Sequence, residues 1–279
     1  MGVNSERWTS RRMASERTSE RAFFGVSALL FAASAAATIA WSVSMPAMGG
    51  MSMPGGCTMS GCTMSMEGMR APGPTWPGAA SFVGMWAVMM VAMMLPSLVP
   101  MLARYRQAVG GAGGARLGRL TALVGAGYFL VWTLFGMAAY PLGVALAAAE
   151  ARLPALARAV PIAAGVVVVI AGALQFSAWK ARHLACCREA PGRGRSLPAD
   201  AGTALRHGLR LGLHCNSACA GLTAILLVIG MMDLRAMALV TSAITIERLA
   251  PAGERVARAI GTVAVGGGLL LIARATGLW

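Results

Sequence analysis

Blocks of about 20 apolar residues recur along the chain, and they restrict its fold more than any other feature of the sequence. A helix needs about 20 residues to cross roughly 30 Å of hydrocarbon. Hydrophobic residues make up 57% of the 279 positions and charged residues only 12%, whereas soluble domains carry about 25% charged residues. We therefore predict an all-α membrane protein, a polytopic bundle of about seven transmembrane helices, with no room for a large soluble catalytic domain. The expected helices cover residues 22–43, 79–102, 120–147, 159–179, 209–232, 234–250 and 256–273.

The basic residues predict the orientation of this bundle. A formal net charge of +14 would suggest a nucleic-acid partner in a soluble protein, but here the charges gather between the apolar blocks. With a cytoplasmic N-terminus, 19 of the 24 Lys and Arg residues lie inside, in segments 1–21, 103–119, 180–210 and 248–258. This is the positive-inside bias of a multi-pass protein. We expect a bacterial cytoplasmic membrane protein surrounded by lipid, with no nucleic-acid partner.

This topology divides the chain into four parts. Residues 1–21 form a disordered basic cytoplasmic tail, and residues 22–43 form a transmembrane anchor. Residues 44–78 form an external loop, and residues 79–274 form the main transmembrane domain. The small residues Ala33-Ser34-Ala35 leave a cleaved signal sequence open as an alternative to an anchor.

The external loop has the most unusual composition in the chain. The 25 positions from Met45 to Met69 hold eight of the 20 methionines and two of the six cysteines. Two prolines and several glycines forbid a regular helix there, so these thioethers are not one face of a packed helix. Spaced thioethers and thiolates are soft ligands that select Cu(I), although a low-complexity linker with a Cys57–Cys62 disulfide remains the alternative. The candidate ligands are Met45, Met48, Met51, Met53, Cys57, Met59, Cys62, Met64, Met66 and Met69.

The second expected helix carries a further set of methionines. At 100° per residue, Met85, Met89 and Met93 form one row along the helix, and Met94 lies in a neighbouring row. These thioethers could line a path for a soft ion. Methionines at helical spacing are also common packing residues, because their flexible side chains fill gaps between helices.

Two more groups of candidate ligands lie near the cytoplasmic side. Cys215 and Cys219 are four residues apart on one helix face and are preceded by His214, so they form a candidate site at membrane depth. In the cytoplasmic loop after the fourth helix, His183 and Cys187 can reach one ion if the helix continues through them. Buried cysteines that act as small hydrophobes, and reduced surface thiols in the loop, are the alternatives.

In order and spacing these residues resemble a bacterial family of predicted metal-binding integral membrane proteins, a domain of unknown function often labelled copper chaperone. The resemblance covers about residues 80 to 268 and implies a metal-handling function. Two positions depart from the family pattern, because His183 and Ala218 stand where the family typically has cysteine. The residues that carry the resemblance are Trp86, Met89, Met93, Met94, Pro96, Gln175, Lys180, Cys187, Arg188, Pro191, Gly212, Cys215, Cys219, Gly230, Met232, Met237, Glu247 and Pro251.

The sequence thus predicts a membrane protein that binds a soft metal ion, Cu(I), and hands it on by exchange between Met and Cys ligands. Periplasmic or membrane copper proteins are the expected partners. Lys180 and Glu247 are expected beside the ligands, with Glu247 either paired to an arginine such as Arg248 or Arg210 or orienting a group next to the ligands. No enzyme signature is present, and ligand exchange involves no covalent catalysis. A membrane thiol-disulfide oxidoreductase and a structural subunit without metal remain alternatives.

Overall fold

The structure, a computed structural model, describes residues 2–48, 76–110, 113–192, 196–231 and 233–277, and all regular secondary structure in these ranges is helical. The predicted all-α fold is confirmed. Five helices are long and apolar enough to cross a membrane, and one bent pair raises the number to six. The helices are α1 (Gly2–Met48), α2 (Trp76–Val109), α3 (Gly114–Arg152), α4 (Pro154–Leu174), α5 (Ala178–Glu189), α6 (Ala201–Ile229), α7 (Leu234–Leu249) and α8 (Gly253–Ala275).

The first helix is longer than the sequence predicts. Its apolar part was expected to begin at residue 22, after a disordered tail, but α1 begins at Gly2. Residues 3–24 contain no proline or glycine and include five Arg and three Glu, which are compatible with a helix. The backbone of the expected tail is therefore a helical extension of the anchor.

The break after α4 brings the predicted cytoplasmic loop into the bundle. Gln175–Ser177 separate α4 from α5, and the two helices are bent by 63°. The Ser177 side chain accepts a hydrogen bond from Lys180 N at 3.1 Å and so caps the new helix. The buried residues of α5 are Lys180, Leu184 and Cys187. Cys187 is therefore an interior residue, contrary to the alternative of a pair of surface thiols.

The expected span at 234–250 is helical but short. Its helix, α7, has 16 residues and a length of about 24 Å, which is less than the roughly 30 Å of a hydrocarbon core. It is not among the candidate spans of the described chain. The count of about seven spans is therefore replaced by five, or six with the bent pair, and α7 contributes buried polar residues to the bundle.

Close contacts of glycines bring α3 and α6 together. A Cβ on Gly208 would overlap the carbonyl oxygen of Val124, and one on Gly212 would lie 2.9 Å from Tyr128 O. Small residues at such positions let helix backbones approach closely in membranes. The approach fixes Tyr128 of α3 against the middle of α6, where the two predicted cysteines lie.

Most of the external Met/Cys-rich loop lies outside the described residues, but α1 continues into its first residues as far as Met48, so the expectation that Pro46 prevents a helix there is wrong. Met45 and Met48 belong to the last turns of α1, and nothing is described of their side chains. Its other candidate ligands lie outside the described residues: Met51, Met53, Cys57, Met59, Cys62, Met64, Met66 and Met69.

Candidate functional site

The methionines of α2 lie in the core of the bundle. Met85, Met89, Met93 and Met94 are all buried and belong to one hydrophobic cluster. Trp86, on the same helix, is fully buried and donates from Nε1 to Trp132 O of α3 at 2.9 Å. This environment is that of packed apolar side chains between two helices.

The predicted cysteines of α5 and α6 come together in the same core. Cys187, Cys215 and Cys219 are free thiols with at most 1% of their surface exposed. Cys215 and Cys219 lie one turn apart on α6, and Cys187 of α5 is close enough to interact electrostatically with both thiols. The Tyr128 hydroxyl lies 2.8 Å from Cys215 Sγ. We call Cys187, Cys215 and Cys219 the sulfur cluster.

A buried arginine faces the sulfur cluster. The Arg248 guanidinium of α7 donates to Cys187 Sγ at 3.8 Å and to Ser97 Oγ of α2 at 2.9 Å. It is also within electrostatic range of Cys215, Cys219 and Tyr128. A positive charge among three sulfur atoms favours negatively charged thiolates, which are the form that binds metal ions.

A buried ion pair lies next to Arg248. Lys180 Nζ is 2.7 Å from Glu247 Oε2 and also donates to Ala218 O of α6 at 2.6 Å. Both side chains are buried. The predicted pairing of Glu247 with Arg248 or Arg210 is wrong, because the bend before α5 turns Lys180 inward to reach the carboxylate. The expectation that Lys180 and Glu247 lie beside the candidate ligands agrees with these contacts.

Several polar atoms around the sulfur cluster have no hydrogen-bond partner in the part of the chain that the structure describes. They are Asn216 Oδ1, Glu247 Oε1 and Arg248 Nε, all with negligible exposure. Unpaired polar atoms are costly in a bundle core, and buried ionisable residues within membranes are usually functional. Buried charged groups and unpaired polar atoms thus meet beside the sulfur cluster, and packing alone does not explain them.

The two candidate histidines lie apart from the sulfur cluster. His183 of α5 and His214 of α6 face each other with their Nδ1 atoms 3.1 Å apart, and both are half-buried. The sequence suggested that His183 and Cys187 share one ion. In the structure His183 contacts His214 and the edge of Trp179, whereas Cys187 contacts Arg248.

Sequence reasoning missed two members of the site and misplaced a third. Tyr128 and Ser97 were not considered, since neither belongs to a recognisable motif. Arg248 was predicted to lie at the cytoplasmic end of a span and to pair with Glu247. The sequence did hold a signal for an interior position, because Arg248 follows Glu247 in an apolar segment and charged residues within membrane helices seldom face lipid.

The donors in this region suit a soft ion that needs few ligands. Among the described residues no group of three or more His, Cys, Asp or Glu side chains is arranged to hold a metal ion. The buried thiols of Cys215 and Cys219, one helical turn apart, offer a two-sulfur site, with Cys187 nearby as a third donor. Thiolates prefer Cu(I) and zinc to hard cations, and zinc usually requires four ligands.

Comparison with known proteins gives one match. A search of curated proteins and a search of solved structures found nothing similar. A family model with the description copper chaperone matches residues 83–271, which is more than half of the chain. The matched part begins within α2, ends within α8, and includes the sulfur cluster, Arg248, Lys180 and Glu247. The chain therefore belongs to this copper chaperone family.

Proposed function

We propose that the protein binds Cu(I) at the sulfur cluster and hands it on by ligand exchange. The observation that carries the proposal is the convergence of three buried thiols from α5 and α6 on the guanidinium of Arg248. Thiolates are preferred ligands of Cu(I). The family description, copper chaperone, agrees with this chemistry.

Charge balance supports a monovalent ion bound by two thiolates. A Cu(I) ion with two thiolate ligands carries one negative charge, and Arg248 supplies one positive charge next to it. Lys180 and Glu247 neutralise each other at 2.7 Å. The buried region then has no net charge when the ion is bound, which reduces the cost of burying charges in a low-dielectric core.

Exchange between donors needs a third ligand within reach of the first two. Cys187 meets this need, because it comes from a different helix and shares Arg248 with Cys215 and Cys219. An ion can pass from the α6 pair to the α5 thiol without ever losing all of its sulfur ligands. Such transfer requires no covalent catalysis and no energy source within this chain.

The external Met/Cys-rich loop, residues 44–78, is proposed to capture the ion. Its eight methionines and its two cysteines, Cys57 and Cys62, are soft donors. The methionines of α2, Met85, Met89, Met93 and Met94, are proposed as weaker donors between this loop and the sulfur cluster. The loop is expected outside the bacterial cytoplasmic membrane, where periplasmic or membrane copper proteins would exchange the ion with it.

A competition titration tests the proposal. The full-length protein in detergent is titrated with Cu(I) under reducing conditions against a chromogenic Cu(I) chelator. The variant Cys215→Ser/Cys219→Ser should lose one tightly bound ion, because hydroxyl groups are hard donors. The matched control is Cys186→Ser, which changes an exposed thiol of α5 that lies outside the cluster.

Two outcomes contradict the proposal. If the double variant remains monodisperse and binds as much Cu(I) as the unchanged protein, the thiols are packing residues. If the unchanged protein binds no Cu(I) but forms a reversible disulfide, the chain is a thiol-disulfide protein instead.

A test of the external loop changes all eight of its methionines to leucine in the full-length chain. The change keeps the apolar volume and removes the thioethers. Cells with this variant should acquire copper less efficiently when copper is scarce, at equal membrane levels of the protein. Unchanged copper acquisition would mean that the loop is a linker.

A further inference from the structure

We propose that His183 and His214 form a second binding site for a soft monovalent ion, separate from the sulfur cluster and closer to water. The identity of the ion, Cu(I), rests on the proposed function. The existence of the site rests on the position of the two imidazole rings. Ag(I), which has the same charge and similar preferences, serves as a redox-stable probe.

The two rings already face each other across the contact between α5 and α6. Their Nδ1 atoms are 3.1 Å apart and their ring centroids are 5.3 Å apart. At this distance one proton can be shared between two nitrogen atoms. Imidazole nitrogens lie about 2.0–2.1 Å from a metal ion such as zinc, so two opposite nitrogens stand about 4 Å apart. Replacing the proton by an ion therefore requires an opening of about 1 Å.

The imidazole pair and the sulfur cluster differ in their exposure at the surface of the bundle. His183 and His214 are half-buried, whereas the three thiols are fully enclosed. The His183 and Trp179 rings also pack edge to face, with their centroids 4.7 Å apart, and Trp179 is 42% exposed. Tryptophan is enriched at the boundary between membrane and water. A soluble donor or acceptor therefore meets the imidazole pair before it meets the thiols.

The imidazole pair and the sulfur cluster lie on the same two helices, an arrangement that would let an ion pass between them. His183 precedes Cys187 by four residues on α5, which is a rise of about 6 Å. His214 and Cys215 are neighbours on α6. Each helix thus contributes one residue to the imidazole pair and at least one to the sulfur cluster, so the two sites are adjacent on the same two helices.

The small number of ligands favours a monovalent ion. No group of three candidate ligands is arranged around a common point in the described ranges, and zinc sites are almost always four-coordinate in proteins. Imidazole is a suitable donor for copper, and Cu(I) is stable with two ligands on opposite sides. The pair therefore fits Cu(I) or Ag(I) better than a divalent ion.

The third histidine of the chain is a matched control. The sequence has three histidines, and His207 lies two turns before His214 on the same helix. Its ring stacks on Tyr105 at 5.3 Å between centroids, so it packs against α2. If an imidazole ligand is detected in this protein, changing each of the three histidines in turn therefore identifies the one that supplies it.

The experiment uses the full-length protein in detergent, with Ag(I) for stoichiometry and Cu(I) for X-ray absorption. The variant Cys215→Ser/Cys219→Ser should retain an ion with nitrogen ligands. Adding His214→Gln or His183→Gln should remove that ion, while adding His207→Gln should leave it in place. Retention of the nitrogen-bound ion in both the His183→Gln and the His214→Gln variants, or equal loss with His207→Gln, would overturn the inference.

A single variant in the native background covers the case in which the serine variants do not fold. His214→Gln should bind one ion fewer than the unchanged protein and keep its sulfur-bound ion, whereas His207→Gln should bind as many as the unchanged protein. If His214→Gln binds the same number of ions, the imidazole site is wrong and the sulfur site stands. If the unchanged protein shows nitrogen-bound but no cysteine-bound ions, the proposed function at the sulfur cluster fails instead.

Discussion

Two sulfur-rich regions of the same bundle core have different surroundings. The methionines Met85, Met89, Met93 and Met94 of α2 and the three cysteines of the sulfur cluster are all buried and belong to one hydrophobic cluster. The sulfur cluster is surrounded by a guanidinium, a tyrosine hydroxyl and a Lys–Glu ion pair. Beside the methionines no charged group is described among the buried contacts: the Trp86 indole donates to a backbone carbonyl of α3, and the Trp132 indole nitrogen has no partner among the described residues.

The difference shows that burial and a soft sulfur donor are not enough to distinguish a packing residue from a metal ligand in a membrane core. Methionine fills apolar gaps at little cost, so a buried row of methionines is consistent with packing. Charged groups at depth are expensive and must be matched by one another or by a ligand. The polar surroundings of the sulfur cluster are therefore the reason for proposing it as the functional region, and the predictions below test this distinction.

The largest effect is expected from Lys180→Met. The change leaves the Glu247 carboxylate buried without its partner, and removal of one member of a buried ion pair costs about 3–5 kcal/mol. The thermal unfolding of the detergent-solubilised protein should shift strongly downward. The matched control, Lys180→Met with Glu247→Leu, removes both charges and should recover most of the loss. Equal stability of all three proteins would mean that the pair is not a buried contact.

A smaller effect on stability but a clear effect on binding is expected from Arg248→Met. This change removes the positive charge beside the thiolates and should lower Cu(I) affinity by about 10- to 100-fold, the range found when a residue that supports metal ligands is changed. Arg248→Lys keeps the charge and should lose less affinity. A competition titration measures both values, and equal affinity in all three proteins would exclude a role for the guanidinium in binding.

The interhelical contact of Tyr128 gives the next test. Tyr128→Phe removes the hydroxyl that lies 2.8 Å from Cys215 Sγ and keeps the ring. The net value of one such hydrogen bond is about 0.5–1.5 kcal/mol, so Cu(I) affinity should change by about tenfold at most. Tyr140→Phe, which changes the tyrosine that packs on Phe82 near the other end of α3, is the control and should have no effect.

Helical spacing in the sequence was enough to find the candidate ligands but not to group them. It grouped Cys215 with Cys219 on one helix face, and both side chains are buried in the same core. It placed His183 with Cys187 and Glu247 with an arginine, and neither grouping is found. Those groupings depend on how α5 packs, and α5 is redirected by the 63° bend at Gln175–Ser177. Ser177, a favourable N-cap residue, was the local sign of that bend.

The smallest effect is expected from the methionines of α2. Met89→Leu with Met93→Leu conserves volume, so it should cost less than about 1.5 kcal/mol of stability. Cu(I) stoichiometry and affinity at the sulfur cluster should be unchanged within error. A loss of bound copper as large as that caused by Cys215→Ser/Cys219→Ser would show that the methionines are equal ligands, and the contrast between the two regions would be wrong.

X-ray absorption of the Cu(I)-loaded protein tests the central claim most directly. The full-length protein is compared with Cys187→Ser/Cys215→Ser/Cys219→Ser and with Met85→Leu/Met89→Leu/Met93→Leu/Met94→Leu, each loaded under the same reducing conditions. Our account predicts that the serine variant loses one sulfur-coordinated ion while the leucine variant keeps the number and sulfur ligands of its bound ions. Loss of sulfur coordination in the leucine variant, with the serine variant unchanged, would contradict it.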